Sequence, residues 1–244
     1  MRKNRVIAFA AASVLCWSAV QPATAIDVNP MVQHITPSGA SSGYRLRVRN
    51  TDDQPITVEI QAFLMEVDEN GRRSLSEEVD DLAIFPPQSV IPPNREQVVQ
   101  VRYVGPPDPT PRMYLVRVGQ LPITFSSEEN SASGAAIQVA FNVNTHVLLA
   151  PAGARPSLHV LSTRKAENGD VLISVENQGV GFASLREARY ALTSSDGRQF
   201  PVRAEDVDVG QVSALPGGAR RNIRVPAALV PGIGQEVTAS IELS

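Results

Sequence analysis

Apolar and polar residues alternate with a period of two along most of this chain. In "YRLRVRN" Tyr44, Leu46 and Val48 share one face while Arg45, Arg47 and Arg49 share the other, and "ITVEIQAFL" repeats the arrangement with Ile56, Val58 and Ile60. Similar stretches are "REQVVQVRYV", "RMYLVRVGQLP", "GDVLISVENQG", "EARYALTSSDGRQF", "RRNIRVPAAL" and "EVTASIELS". Such alternation is the mark of a strand with one buried face. Pro, Gly, Asn-Gly and Asp-Gly signals separate these stretches, and "DENGR" predicts a turn at Asn70 and Gly71. No segment longer than about ten residues carries a helical repeat. Many short strands between turn signals predict an all-β chain of sandwiches or barrels, and two sandwiches fit the length.

The longest alternation is "AAIQVAFNVNTHVLLAP", residues 135–151, in which Ile137, Val139, Phe141 and Val143 share a face opposite Gln138, Asn142 and Asn144. It runs into "APAGARPS", residues 150–157, where two prolines and a glycine stop the pattern until Leu158. Proline supplies no ladder donor, so this reads as a short stiff linker. The predicted organisation is a first domain over residues 26–151 and a second over 152–244. A polar insert, "SSEENSASGAA" at residues 126–136, precedes the alternating strand, and its Ser, Glu, Asn and Gly content predicts disorder in the free protein.

Residues 1–25 stand outside this pattern. "MRKNR" is basic, residues 6–20 are mostly apolar, and "ATA" ends the segment with the small residues a signal peptidase reads. The apolar run falls short of the roughly 20 residues of a membrane span, so a cleaved signal peptide is expected, with no stable membrane insertion. Cys16 lies within that segment behind Leu15, a poor neighbour for a lipidated cysteine, so the mature chain contains no cysteine. Roughly 219 residues must therefore build cores without disulfides, which fits two domains of about 110 residues each. Without Arg2, Lys3 and Arg5 the 22 basic residues become 19 against 25 acidic ones, for a net charge near −6. That balance excludes general nucleic-acid binding.

The order of these stretches resembles that of the periplasmic chaperones of the chaperone–usher pilus pathway. The resemblance rests on "YRLRVRNTDDQPITVEIQAF", "IFPPQSVIPPNREQVVQVRYV", "RMYLVRVGQLPI", a loop, and the alternating strand ending "LLAP"; the second half matches more loosely through "ISVENQGVGFASL" and "ALPGGARRNIRVP". It implies two immunoglobulin-like β-sandwich domains in an L-shaped arrangement. It also implies that the chain binds pilus or fimbrial subunits by lending them a strand, and delivers them to an outer-membrane usher. Ile137, Val139, Phe141 and Val143 are then the donor side chains, main-chain hydrogen bonds supply much of the affinity, and a free protein could cap its strand by dimerising.

The resemblance further implies a basic pair, an arginine on the first strand and a lysine near the end of the donor strand, that holds the subunit's C-terminal carboxylate. This sequence departs from both. Registering the strands on Asn50 and on Pro151 places His34 and His146 at the two anchor positions, which takes up two of the three histidines. A histidine pair also suggests a metal, but a zinc site needs three or four ligands and no third has suitable spacing; neither metal nor cofactor is expected. No cysteine nucleophile, phosphate loop, G-x-S-x-G or H-E-x-x-H pattern supports an enzyme. The run Glu77, Glu78, Asp80 and Asp81 reads as a solvated loop. The remaining alternative is an exported immunoglobulin-like structural or adhesive module.

Overall fold

The computed structural model describes residues 26–108, 110–121 and 141–243. The expected signal peptide, the polar insert, and the donor positions Ile137 and Val139 lie outside the described residues. The described chain is all-β, with three short 3-10 turns and no α-helix.

The first sandwich is built from ten strands. These are β1 (Ile26–Asn29), β2 (Val32–Ile35), β3 (Gly43–Asn50), β4 (Ile56–Val67), β5 (Arg73–Glu78), β6 (Leu82–Phe85), β7 (Gln88–Ile91), β8 (Glu96–Tyr103), β9 (Arg112–Leu121) and β10 (Asn142–Leu149). One sheet has the order β1-β3-β8-β6; the other has the order β2-β10-β9-β4-β5, with β7 paired to β4. Their facing side chains form one core containing Leu46, Val48, Val58, Ile60, Val99, Val101, Val116, Val118, Val147 and Leu149. These are the period-2 positions of the sequence, with the arginines of β3 turned to solvent.

The second sandwich comprises β11 (Leu158–Lys165), β12 (Val171–Asn177), β13 (Ala183–Ser184), β14 (Ala188–Ser194), β15 (Gln199–Val202), β16 (Ala214–Leu215), β17 (Arg220–Val225) and β18 (Val237–Leu243). Sheets β11-β12-β17 and β15-β14-β18 enclose a second core around Ile173, Val175, Leu192, Leu215 and Ile223. The chain turns from one sandwich to the other at residues 151–154, where Gly153 takes a positive φ of 73° and the Ala154 amide donates to the Pro151 carbonyl at 3.1 Å.

One feature departs from the sequence reading. Asp81 is not a solvated loop carboxylate: it accepts a hydrogen bond from Tyr114 Oη at 2.7 Å and lies 3.6 Å from the Arg112 guanidinium. Burial, together with this carboxylate, pushes the Tyr114 phenol well above its ordinary pKa. Two asparagines that end strands are buried. Asn50 Nδ2 donates to the carbonyls of Gln54 and Ile91, and Asn177 Nδ2 to those of Gly181 and Leu215. Each amide side chain satisfies backbone groups that would otherwise be buried without partners where the ladder stops.

Candidate functional site

Strand β10 is the element on which the sequence reading rests, and its two edges are treated differently by the fold. On one side it pairs with β9 over its whole length, from Asn142 opposite Gly119 to Leu149 opposite Arg112. The Gln120 amide extends this ladder by donating to the Phe141 carbonyl at 2.9 Å. On the other side β2 runs parallel to it and pairs only from His146 opposite Val32 to Leu149 opposite Ile35. The cause is visible in the sequence. Before Pro30 the chain belongs to the opposite sheet as β1, and Pro30 itself has no amide to offer a ladder. The first contact with β10 is therefore the Met31 carbonyl, which accepts from the His146 amide at 2.8 Å. Among the described residues no strand covers that edge from Asn142 to Thr145.

Side chains follow the same division. Thr145, Val147 and Leu149 are buried on the core side of β10. Val143 is half-buried against that same core, whereas Phe141, two residues earlier on the same side of the alternation, is 42% exposed. The alternating face thus leaves the protein's own core between Val143 and Phe141. An unpaired strand edge with apolar side chains at alternate positions can accept a further strand.

The structure brings His34 and His146 to one place. Parallel pairing sets His34 opposite Leu148 and His146 opposite Val32, and all four side chains line a cleft of about 500 Å³ between the two sandwiches. Phe182, Val212 and Ser213 of the second sandwich form its far wall. His34 is exposed and meets the Phe182 ring edge-on, at 6.4 Å between centroids. His146 is half-buried, and burial together with the nearby positive charge of Arg73 holds its imidazole below the ordinary histidine pKa. Met65 and Leu148 line the cleft and, with Met113, pack against Phe182, Val212 and Ala214. Among the described residues no group of three His, Cys, Asp or Glu side chains is placed to hold a metal ion.

Several participants were not singled out by the sequence reading. Arg73 sits at the start of β5, and its backbone amide donates to Gln211 Oε1 at 3.3 Å, across the gap between the sandwiches. Phe182, Val212 and Ser213 come from two separate segments of the second sandwich. Nothing in the local pattern marks them, because a cleft wall assembled from distant segments has no period along the chain.

Comparison with known proteins gives this geometry a context. Residues 28–155 match the model of the pili and flagellar-assembly chaperone family, PapD N-terminal domain. A search of curated protein sequences finds no match. Among solved structures, the class 5 fimbriae chaperone CfaA is 9% identical, with a TM-score of 0.56 over 90% of this chain and all of that one. The Salmonella enterica SafB chaperone, solved in complex with the SafA pilin, gives 14% identity and a TM-score of 0.54, covering 83% of this chain and 85% of that one. The Escherichia coli chaperone DraB gives 15% and 0.51, with coverage of 84% and 87%. At these identities the structural likeness concerns the fold, and both sandwiches are part of it. The family match spans just over half of the chain, from within β1 to beyond β10, and on that ground the protein belongs to the PapD-type pilus assembly chaperones.

Proposed function

We propose that this protein is a periplasmic chaperone that lends residues 137–143 to a fimbrial subunit lacking its final strand and hands that subunit to an outer-membrane usher. Residues 1–25 direct export and are removed; residues 26–151 and 152–244 are the two functional domains. The observation that carries the reading is the half-open β10: its Asn142–Thr145 edge is free of any described strand, beside an exposed Phe141. An incoming subunit strand extends the β9-β10 ladder, while Ile137, Val139 and Phe141 fill the groove in the subunit. Val143 stands at the junction of the two cores. Each large apolar side chain that becomes fully buried contributes about 1.5–3 kcal/mol before ordering costs. The neighbouring cleft then receives the subunit's terminal carboxylate, with His34 and His146 donating.

The test is co-expression with an exported immunoglobulin-like fimbrial subunit whose final strand is missing. A 1:1 complex is expected, in which the Asn142 and Asn144 amides become protected from hydrogen exchange. A complex that leaves these two amides as labile as in the free chaperone would overturn donation through this edge. Absence of any complex would favour the exported structural module.

A further inference from the structure

Arg221 is the largest fully buried side chain of the described protein, at 1% exposure. A guanidinium is costly to take out of water unless its donors are satisfied, and here backbone carbonyls satisfy most of them. Nη1 donates to the carbonyls of Val209, at 2.8 Å, and Val212, and Nη2 donates to that of Ala214 at 3.5 Å. Nε has no partner. Three carbonyls of one six-residue segment, 209–214, are thus gathered onto one planar cation.

That segment has two engagements. At its start, Gly210 lies back to back with Gly71, the tip of the β4–β5 hairpin in the first sandwich. Both glycines have positive φ, and a Cβ on either would fall 2.6–2.7 Å from backbone atoms of the other segment. The Gln211 amide donates to the Gly71 carbonyl at 2.9 Å, and the Asn222 amide, next to Arg221, donates to the Glu69 carbonyl at 2.6 Å. Asp68 shapes the hairpin by accepting from the Asn70 and Arg72 amides; burial disfavours the Arg221 cation, and the Asp68 charge offsets part of that. At its other end, the same segment supplies Val212, Ser213 and Ala214 to the wall of the cleft facing His34 and His146.

We infer that Arg221 is a positioning residue for the cleft: it locks segment 209–214 into a clasp on the Gly71 hairpin, and so sets how far the second sandwich stands from the two histidines. The consequence for ligand capture rests on the function proposed above; the clasp itself does not. Cleft width is then fixed before a subunit arrives, from a point outside the cleft.

The test uses the full mature chain with Gly71→Val, Arg221→Met and Arg221→Lys, read out three ways. Exchange of the Gln211 and Asn222 amides reports the clasp. The His34 ring signal, next to Phe182, reports the cleft, and the affinity for a fimbrial subunit reports function. Gly71→Val attacks the contact from the first sandwich and leaves the second core untouched, which covers the case in which Arg221→Met fails to fold. Gly71→Val and Arg221→Met should each speed exchange at both amides at least tenfold, move the His34 signal and weaken subunit binding at least tenfold. Arg221→Lys, which keeps the charge but not the planar fork, should restore these only in part. The inference is overturned if the two amides exchange freely in the unmodified protein. It is equally overturned if Gly71→Val frees them while the His34 signal and subunit affinity stay unchanged. If the amides and the His34 signal respond as expected but the unmodified protein binds no subunit, the clasp stands and the chaperone reading falls.

Discussion

The two halves of β10 differ in one respect. From His146 to Leu149 the strand has a neighbour on each edge and its inward side chains are buried; from Asn142 to Thr145 it has, among the described residues, a neighbouring strand on one edge only, and Phe141 on its apolar side is exposed. The alternation is continuous across both halves. The difference teaches that an alternating strand specifies a buried face without specifying whose core will bury it. That is decided by the reach of β2, which Pro30 limits.

The largest effect is expected from placing a charge in the closed half. Val147→Asp puts a carboxylate into the apolar first core and should cost at least about 4 kcal/mol, enough to unfold the first sandwich in a denaturant titration. The corresponding change in the open half, Phe141→Asp, should shift stability by no more than about 0.5 kcal/mol. It should nevertheless abolish subunit binding, because the charge then enters the subunit's groove. Equal destabilisation by the two changes would erase the distinction between the halves.

A third substitution sharpens the comparison at the backbone. The His146 amide donates to β2, so by the period of two the Asn144 amide points to the same edge, where no described strand receives it. Asn144→Pro removes that donor without touching the β9 ladder, and proline is tolerated on edges that face water. The protein should stay folded by circular dichroism while subunit affinity falls at least tenfold. Retained affinity would show that the open edge is not where the subunit strand pairs.

The smallest effect concerns pH. Burial and Arg73 depress the His146 pKa in the free protein, whereas a bound carboxylate raises it. Binding therefore takes up a proton. Affinity rises as pH falls through the bound-state value and levels off below the depressed free-state value, so the gain extends below the ordinary histidine range. One linked proton gives at most roughly a tenfold change per pH unit. Below about pH 4, protonation of the ligand carboxylate reverses the trend. Subunit affinity measured across this range should lose most of its slope in His146→Gln; an unchanged slope would place the carboxylate elsewhere.

How much of this was legible in the sequence can be judged residue by residue. The core positions of β3, β4 and β8 follow directly from alternation, because a strand's two faces are fixed by its own geometry. The Asn70-Gly71 turn was legible for the same reason: a positive φ calls for glycine, and Gly71 has one of 74°. The two histidines were found by register against a family pattern. Their meeting in one cleft depended on a parallel pairing between strands more than a hundred residues apart. Asp81 was misjudged because a run of acids gives no sign that one of them will meet a tyrosine hydroxyl.

By itself, then, the sequence determined the strands, their inward faces and the turn at Gly71, since each depends on contacts within a few residues. The tertiary structure alone decided that β2 stops at His146 and that no other described strand covers the β10 edge before it. It also decided that His34 and His146 face Phe182, and that Arg221 is buried against carbonyls near a hairpin from the other sandwich. These depend on which distant segments meet. Alternation constrains the side a residue faces and leaves the partner on that side to the packing of the whole chain.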